Sequence, residues 1–159
     1  MRAFSASALL TAWLATGCAA TESKACTMLG CVDGFDVAFP DQPSAAGTWS
    51  VVVKTPKDTR TCTVKVPFAG IDPGVVCSGD LQLNTSGSAL AASQHRISGV
   101  HLADTPTQVT VTVQRDGAKV AEQAFAPAYK SSTPNGPGCG PTCSNASRWW
   151  TSTPPLSSL

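Results

Sequence analysis

With two histidines, one tyrosine and charged side chains at only 13% of its 159 positions, this chain is short of the groups from which most active sites are built. A metal centre needs clustered His, Cys or carboxylate ligands at short spacing. His95 and His101 are six residues apart, which on a continuous strand puts them on one face but about 20 Å from each other. No metal site is therefore expected, and both histidines read as surface residues. There is no G-x-S-x-G elbow to expose a nucleophilic serine, no glycine-rich phosphate loop and no D-x-D-x-D-G calcium spacing. Lys and Arg number 11 against 10 Asp and Glu. With neither a basic patch nor an acidic tail, nucleic acid is excluded as a partner. No window has helical periodicity, and "SALAASQH", 88–95, offers one turn at most.

Long apolar runs are also missing, with one exception. "AFSASALLTAWLATG", 3–17, follows Arg2 and precedes the next charge, Glu22. A positive start and a short apolar stretch form a secretory signal. The run is too short for a membrane span, which needs about 20 residues. "GCA", 17–19, loosely fits an ordinary signal-peptidase site. "ATGC", Ala15 to Cys18, resembles the lipobox of bacterial lipoproteins: small residues, then Gly before the cut and Cys after it. The resemblance implies a signal peptide at 1–17, diacylglycerol on the Cys18 thiol and an acylated new N-terminus. A polar tether follows, with 18–30 as the lipidated N-terminal segment. Two or three acyl chains would anchor the protein stably to the lipid bilayer. Ala19, rather than Asp, follows the cysteine, which in that family leans towards the outer rather than the inner membrane.

The remainder, about 140 residues, suits one domain. Its pattern is that of strands. "FDVAF" aligns Phe35, Val37 and Phe39. "TWSVVVK" aligns Trp49, Val51 and Val53, and "TCTVKVPF" aligns Cys62, Val64, Val66 and Phe68. "TQVTVTVQ" turns Val109, Val111 and Val113 to one face and its Thr and Gln residues to the other. Asp116-Gly117 is a hairpin turn leading into "KVAEQAFA". Weaker strands are expected at Val75–Cys77, Leu81–Asn84 and Arg96–Leu102. Seven or eight such strands predict an all-β, immunoglobulin-like antiparallel β-sandwich over 31–130, with a small β-barrel as the alternative. Residues 131–159, rich in Pro, Gly and Ser, form a tail in which Trp149 and Trp150 could add an edge strand.

Seven cysteines are present. With Cys18 lipidated, Cys26, Cys31, Cys62, Cys77, Cys139 and Cys143 remain to pair in an exported domain. Cys62–Cys77 joins neighbouring strands. Local pairs, Cys26–Cys31 and Cys139–Cys143, are favoured over a clamp joining the N-terminal pair to the C-terminal pair. "CGPTC" has one residue too many for a thioredoxin-type motif. Asp33, Asp36, Asp72 and Asp80 could meet in space as an acid–base pair, and Asp104 lies near His101 in sequence. Asn84 and Asn145 fit glycosylation sequons that a bacterial lipoprotein would not use.

The expectation is a non-catalytic binding or structural module of the bacterial cell envelope, lipid-anchored and free of cofactors. An envelope protein or a glycan is its candidate partner, with contact at the loops Pro40–Gly47, Ala69–Gly74 and Ser131–Gly138. The alternatives are a secreted, unanchored factor and a secreted enzyme using Asp and His residues in loops.

Overall fold

A computed structural model describes residues 24–151 and 156; the expected signal peptide and Cys18 lie outside the described residues. Among the described residues, ten strands form two five-stranded sheets packed as a β-sandwich. In chain order they are β1 (Gly34–Ala38), β2 (Gly47–Lys54), β3 (Thr59–Val66), β4 (Val76–Cys77) and β5 (Leu81–Ser86). There follow β6 (Arg96–Leu102), β7 (Val109–Arg115), β8 (Ala118–Phe125), β9 (Lys130–Ser132) and β10 (Cys143–Trp149). The first sheet runs β5-β6-β1-β10-β9 and the second β4-β3-β2-β7-β8. The "SALAASQH" segment contributes one 3-10 turn, Ala92–Gln94.

Period-2 alternation built the second sheet as expected. Trp49, Val51 and Val53 of β2 and Val64 and Val66 of β3 point inward. So do Val109, Val111 and Val113 of β7, and all are at most 2% exposed. Phe35, Val37 and Phe39 meet them from the first sheet. The Trp49 indole N–H donates to the Ala45 carbonyl at 2.8 Å, so its one polar atom is satisfied inside the core. Asp116 and Gly117 both have positive φ, 51° and 81°, as a type I′ turn requires. The Asp116 carboxylate also accepts from the Thr48 N–H at 2.8 Å, tying the hairpin to β2.

The first sheet departs from expectation in two places. Residues 131–159 do not simply lie against an edge. Their strand β10 sits inside the sheet, parallel to β1, and β9 takes the edge. The sequence pattern of β10 hides the strand because it is mostly polar: within "CSNASRW" only Cys143 and Ala146 are buried. Second, a β-bulge interrupts the pairing of β5 with β6, where Asn84 faces Gly99 but Thr85 faces Ile97. The extra residue reverses which face the strand buries. Ile97, Val100 and Leu102 are therefore all inward, at spacings of three and then two.

The parallel contact also decides the disulfides. Cys62–Cys77 forms across β3 and β4 as expected. The local pairs do not form: Cys26 bonds Cys139 and Cys31 bonds Cys143. Because β1 and β10 run the same way, with Gly34 opposite Asn145, the residues entering each strand lie side by side. That brings Cys31 to Cys143, one step ahead of the strands, and the preceding turn of chain brings Cys26 to Cys139. Three disulfides mark an oxidising compartment outside the cytoplasm.

Candidate functional site

Neither expected surface histidine is simply exposed, and the two do not share a face. The bulge in β6 separates them. His95, 4% exposed, stacks on Phe68 with ring centroids 4.6 Å apart. Its Nδ1 accepts from the Phe68 N–H at 2.8 Å, so the proton sits on Nε2, which donates to the Leu90 carbonyl at 3.2 Å. His95 is a satisfied core residue with no lone pair left for a ligand.

His101 lies on the outer face of the first sheet. Its Nδ1–H donates to Asp36 Oδ1 at 2.9 Å, directly across from it on β1. Asp104, its neighbour in sequence, faces Lys57 and Arg60 instead. The imidazole lies over Gly34: a Cβ there would come within 2.8 Å of His101 Cε1 and would run into the Leu102 carbonyl. Gly34 also has φ of 139°, so an alanine is strained there on both counts. His101 Nε2 is buried and has no hydrogen-bond partner.

The four aspartates that remained open as an acid–base pair are each engaged by a different group. Asp33 accepts from the Ser144 N–H, Asp72 from the Gly74 N–H at 2.9 Å, and Asp36 from His101. Asp80 pairs with Arg60, whose guanidinium also reaches Asp58 at 2.8 Å and Asp104 at 3.9 Å. This cluster joins three connections at one end of the sandwich, with the arginine at its centre. The Thr55 hydroxyl holds the Asp58 carboxyl below the usual carboxylate range; desolvation opposes it, and the Arg60 guanidinium and the Lys57 charge add to the lowering. Its interaction is present above the ordinary Asp pKa and is lost as pH falls through the lowered one. Burial, reinforced by the Asp104 charge, raises the Tyr129 phenol, which donates to the Pro106 carbonyl at 3.0 Å. No group of three His, Cys, Asp or Glu side chains is placed to hold a metal ion among the described residues.

Two adjoining hollows run along β7. One, about 260 Å³, is lined by Lys54, Thr55, Pro56, Gln108, Val109 and Thr110; the other, about 390 Å³, opens between β7 and Phe125. Neither contains a histidine or a carboxylate. Of the three loops expected to make contacts, Pro40–Gly47 is tied to the body through Pro43, which accepts from Ile97, and Gln42, which accepts from Ser86. Ser131–Gly138 contributes β9 and the buried Asn135. The rest of Ser131–Gly138 is mostly exposed, and so is Ala69–Gly74, with Ile71 79% accessible.

The most distinctive surface is the outer face of the first sheet, which the sequence reading did not single out. Register lays two rows across four strands. Gln82, His101, Asp36 and Ser147 form one, and Asn84, Gly99, Ala38 and Trp149 form the next. Rows two residues apart are about 7 Å from each other, and neighbouring strands about 5 Å. Trp149 is 68% exposed, and its row partners Ala38 and Gly99 bear a methyl group and no side chain. The result is an indole beside a low floor, with amide, imidazole, carboxylate and hydroxyl groups alongside. The signal for it lay in "RWW": Trp150 is 3% exposed, so alternation must turn Trp149 outward.

Comparison with protein-family models, with curated proteins and with solved structures finds no match for this chain.

Proposed function

We propose that the protein is a non-catalytic module of the bacterial cell envelope, anchored through acylated Cys18, and that it binds a glycan on the outer face of its first sheet. The observation that carries the reading is the pair of rows ending in Trp149 and Ser147. The apolar C–H face of a pyranose ring packs on an exposed indole, and its hydroxyls need donors and acceptors at the rim. Asp36, Gln82, Asn84 and Ser147 supply these beside the ring. An exposed tryptophan on a rigid sheet loses little side-chain freedom when a ligand covers it. The lipobox-like "ATGC" and the oxidised domain support the anchor and its compartment.

Two measurements test this. In a bacterial host the wild-type chain should fractionate with membranes and Cys18→Ala much less completely; a soluble wild type ends the anchoring reading. Purified protein should be retained by insoluble polysaccharides, peptidoglycan sacculi among them. Trp149→Ala should weaken retention about tenfold, equivalent to about 1.4 kcal/mol, with the melting temperature little changed because the side chain is exposed. Equal retention of the two, or retention of neither, rejects the glycan face.

A further inference from the structure

We infer that the loop 25–32 is a second membrane contact, which seats the start of the first sheet on the phospholipid surface beside the acyl anchor; the inference rests on the anchoring reading. Seven large apolar side chains are exposed among the described residues, and three of them fall here: Met28 at 99%, Leu29 at 57% and Val32 at 65%. "ACTMLGCV" carries no charged residue. An apolar loop exposed by chance would be free to collapse onto the body, but this one is held in place. Disulfides from Cys26 and Cys31 bracket it. The Asn135 side chain, itself buried, accepts from the Leu29 N–H at 2.8 Å and from the Thr27 hydroxyl at 2.6 Å, and donates to the Leu29 carbonyl at 2.9 Å.

That hydrogen bonding favours lipid as the occupant. Backbone N–H and C=O groups left unpaired are costly where water is scarce. At Leu29 both are already paired within the protein, so its side chain can enter the headgroup boundary without stripping water from either group, and the neighbouring Met28 side chain is the most exposed apolar group of the loop. Position agrees. Cys18 precedes Cys26 by eight residues, so the tether spans at most about 29 Å when fully extended, and the acyl chains hold this end of the domain next to the bilayer. Apolar area added to an acyl anchor is a further hydrophobic signal of the kind that converts reversible attachment into stable attachment. Lys24 flanks the loop on the tether side, where it can meet anionic headgroups, and Asp33 on the other side is engaged by the Ser144 N–H. Seated this way, the domain presents Trp149 about 20 Å further along β10 from Cys143, away from the membrane.

The test uses the full chain, isolated from a bacterial host, and vesicles of phosphatidylethanolamine and phosphatidylglycerol. Metabolic labelling with palmitate reports the anchor alone. The Cys18→Ala chain, which has no acyl group, isolates the loop. It should co-sediment weakly with the vesicles, and adding Met28→Asp with Leu29→Asp should reduce the bound fraction at least threefold. In the acylated protein, Met28→Trp should add fluorescence that brominated acyl chains quench and aqueous iodide does not. Unlabelled Cys18 with loop-dependent co-sedimentation would reject the anchor and keep the loop contact. Labelled Cys18 with iodide-accessible Met28→Trp, and co-sedimentation insensitive to the Asp pair, overturns the inference. So does a Met28→Asp, Leu29→Asp variant that changes only the oligomeric state, since a second copy would then be the occupant.

Discussion

Replacing either terminal disulfide by a pair of serines is expected to cost about 3 kcal/mol, and replacing the second as well to cost about 5 kcal/mol more, on the chain-entropy account of cross-links. The asymmetry follows from how the bridges are nested. Cys26–Cys139 and Cys31–Cys143 span sequence separations of 113 and 112. The first to form closes nearly the whole domain into a loop. With that loop closed, the other closes a ring of only about ten residues, made of the stretches 26–31 and 139–143, whose entropy is smaller because loop entropy grows with the logarithm of length. Whichever bridge is removed first, only the small ring is lost; removing the second opens the large one. Denaturant unfolding of the two single-bridge variants and of the variant lacking both checks this. Losses that add equally would show that the unfolded chain already keeps its ends together by other means.

The same cycle bears on the tether and the sheet. Free of both bridges, the loop 25–32 would keep only its Asn135 hydrogen bonds, and β10 would depend on β1, β9 and the packing of Ala146 and Trp150. β10 is the most exposed of the long strands in the first sheet, with exposed Asn145, Ser147, Arg148 and Trp149. Its place between β1 and β9 therefore owes more to the covalent clamp than to apolar burial, and the face bearing Trp149 depends on that clamp.

The second sheet was readable from sequence because β2 to β4 and β7 to β8 are each consecutive in the chain, and its long strands declare their inward faces by alternation. "TCTVKVPF" and "TQVTVTVQ" needed no partner to be recognised, Asp116-Gly117 announced its own turn, and Cys62 and Cys77 lay on strands adjacent in both chain and space. The first sheet joins the beginning of the domain to its end. A parallel contact between β1 and β10 leaves no local mark, so neither the disulfide exchange between the termini nor the neighbourhood of Asp36, His101, Ser147 and Trp149 could be derived from spacing. The bulge in β6 broke the alternation that would have put the two histidines on one face of a continuous strand, placing His95 in the core and His101 outside. The candidate site was hidden for the same reason. It is made of side chains from four strands, each unremarkable alone, brought into two rows by register.

The deepest test of the fold lies at two adjacent residues of β7. Val111 is 0% exposed, opposite Val53 on one side and Gln123 on the other, with the core beneath it. Thr110, one residue earlier, points outward opposite Lys54. Val111→Asp places a carboxylate among Phe, Trp and Val side chains with no cation or donor turned towards it. A buried charge of this kind must stay unpaired or take up a proton, and either course is costly. The expected loss is at least about 4 kcal/mol, among the largest that single substitutions produce. Set against a total stability of about 5–15 kcal/mol for a domain, that leaves the variant largely unfolded or close to it at ambient temperature. Thr110→Asp adds the same charge to the same strand, but in water and across from a lysine, where an opposite-charge cross-strand pair is mildly favourable. Its expected effect is within about 0.5 kcal/mol of wild type. Thermal unfolding followed by far-ultraviolet circular dichroism separates the two. Equal losses at 110 and 111 would mean that β7 does not present alternate faces to core and solvent, and the two-sheet packing would then be wrong.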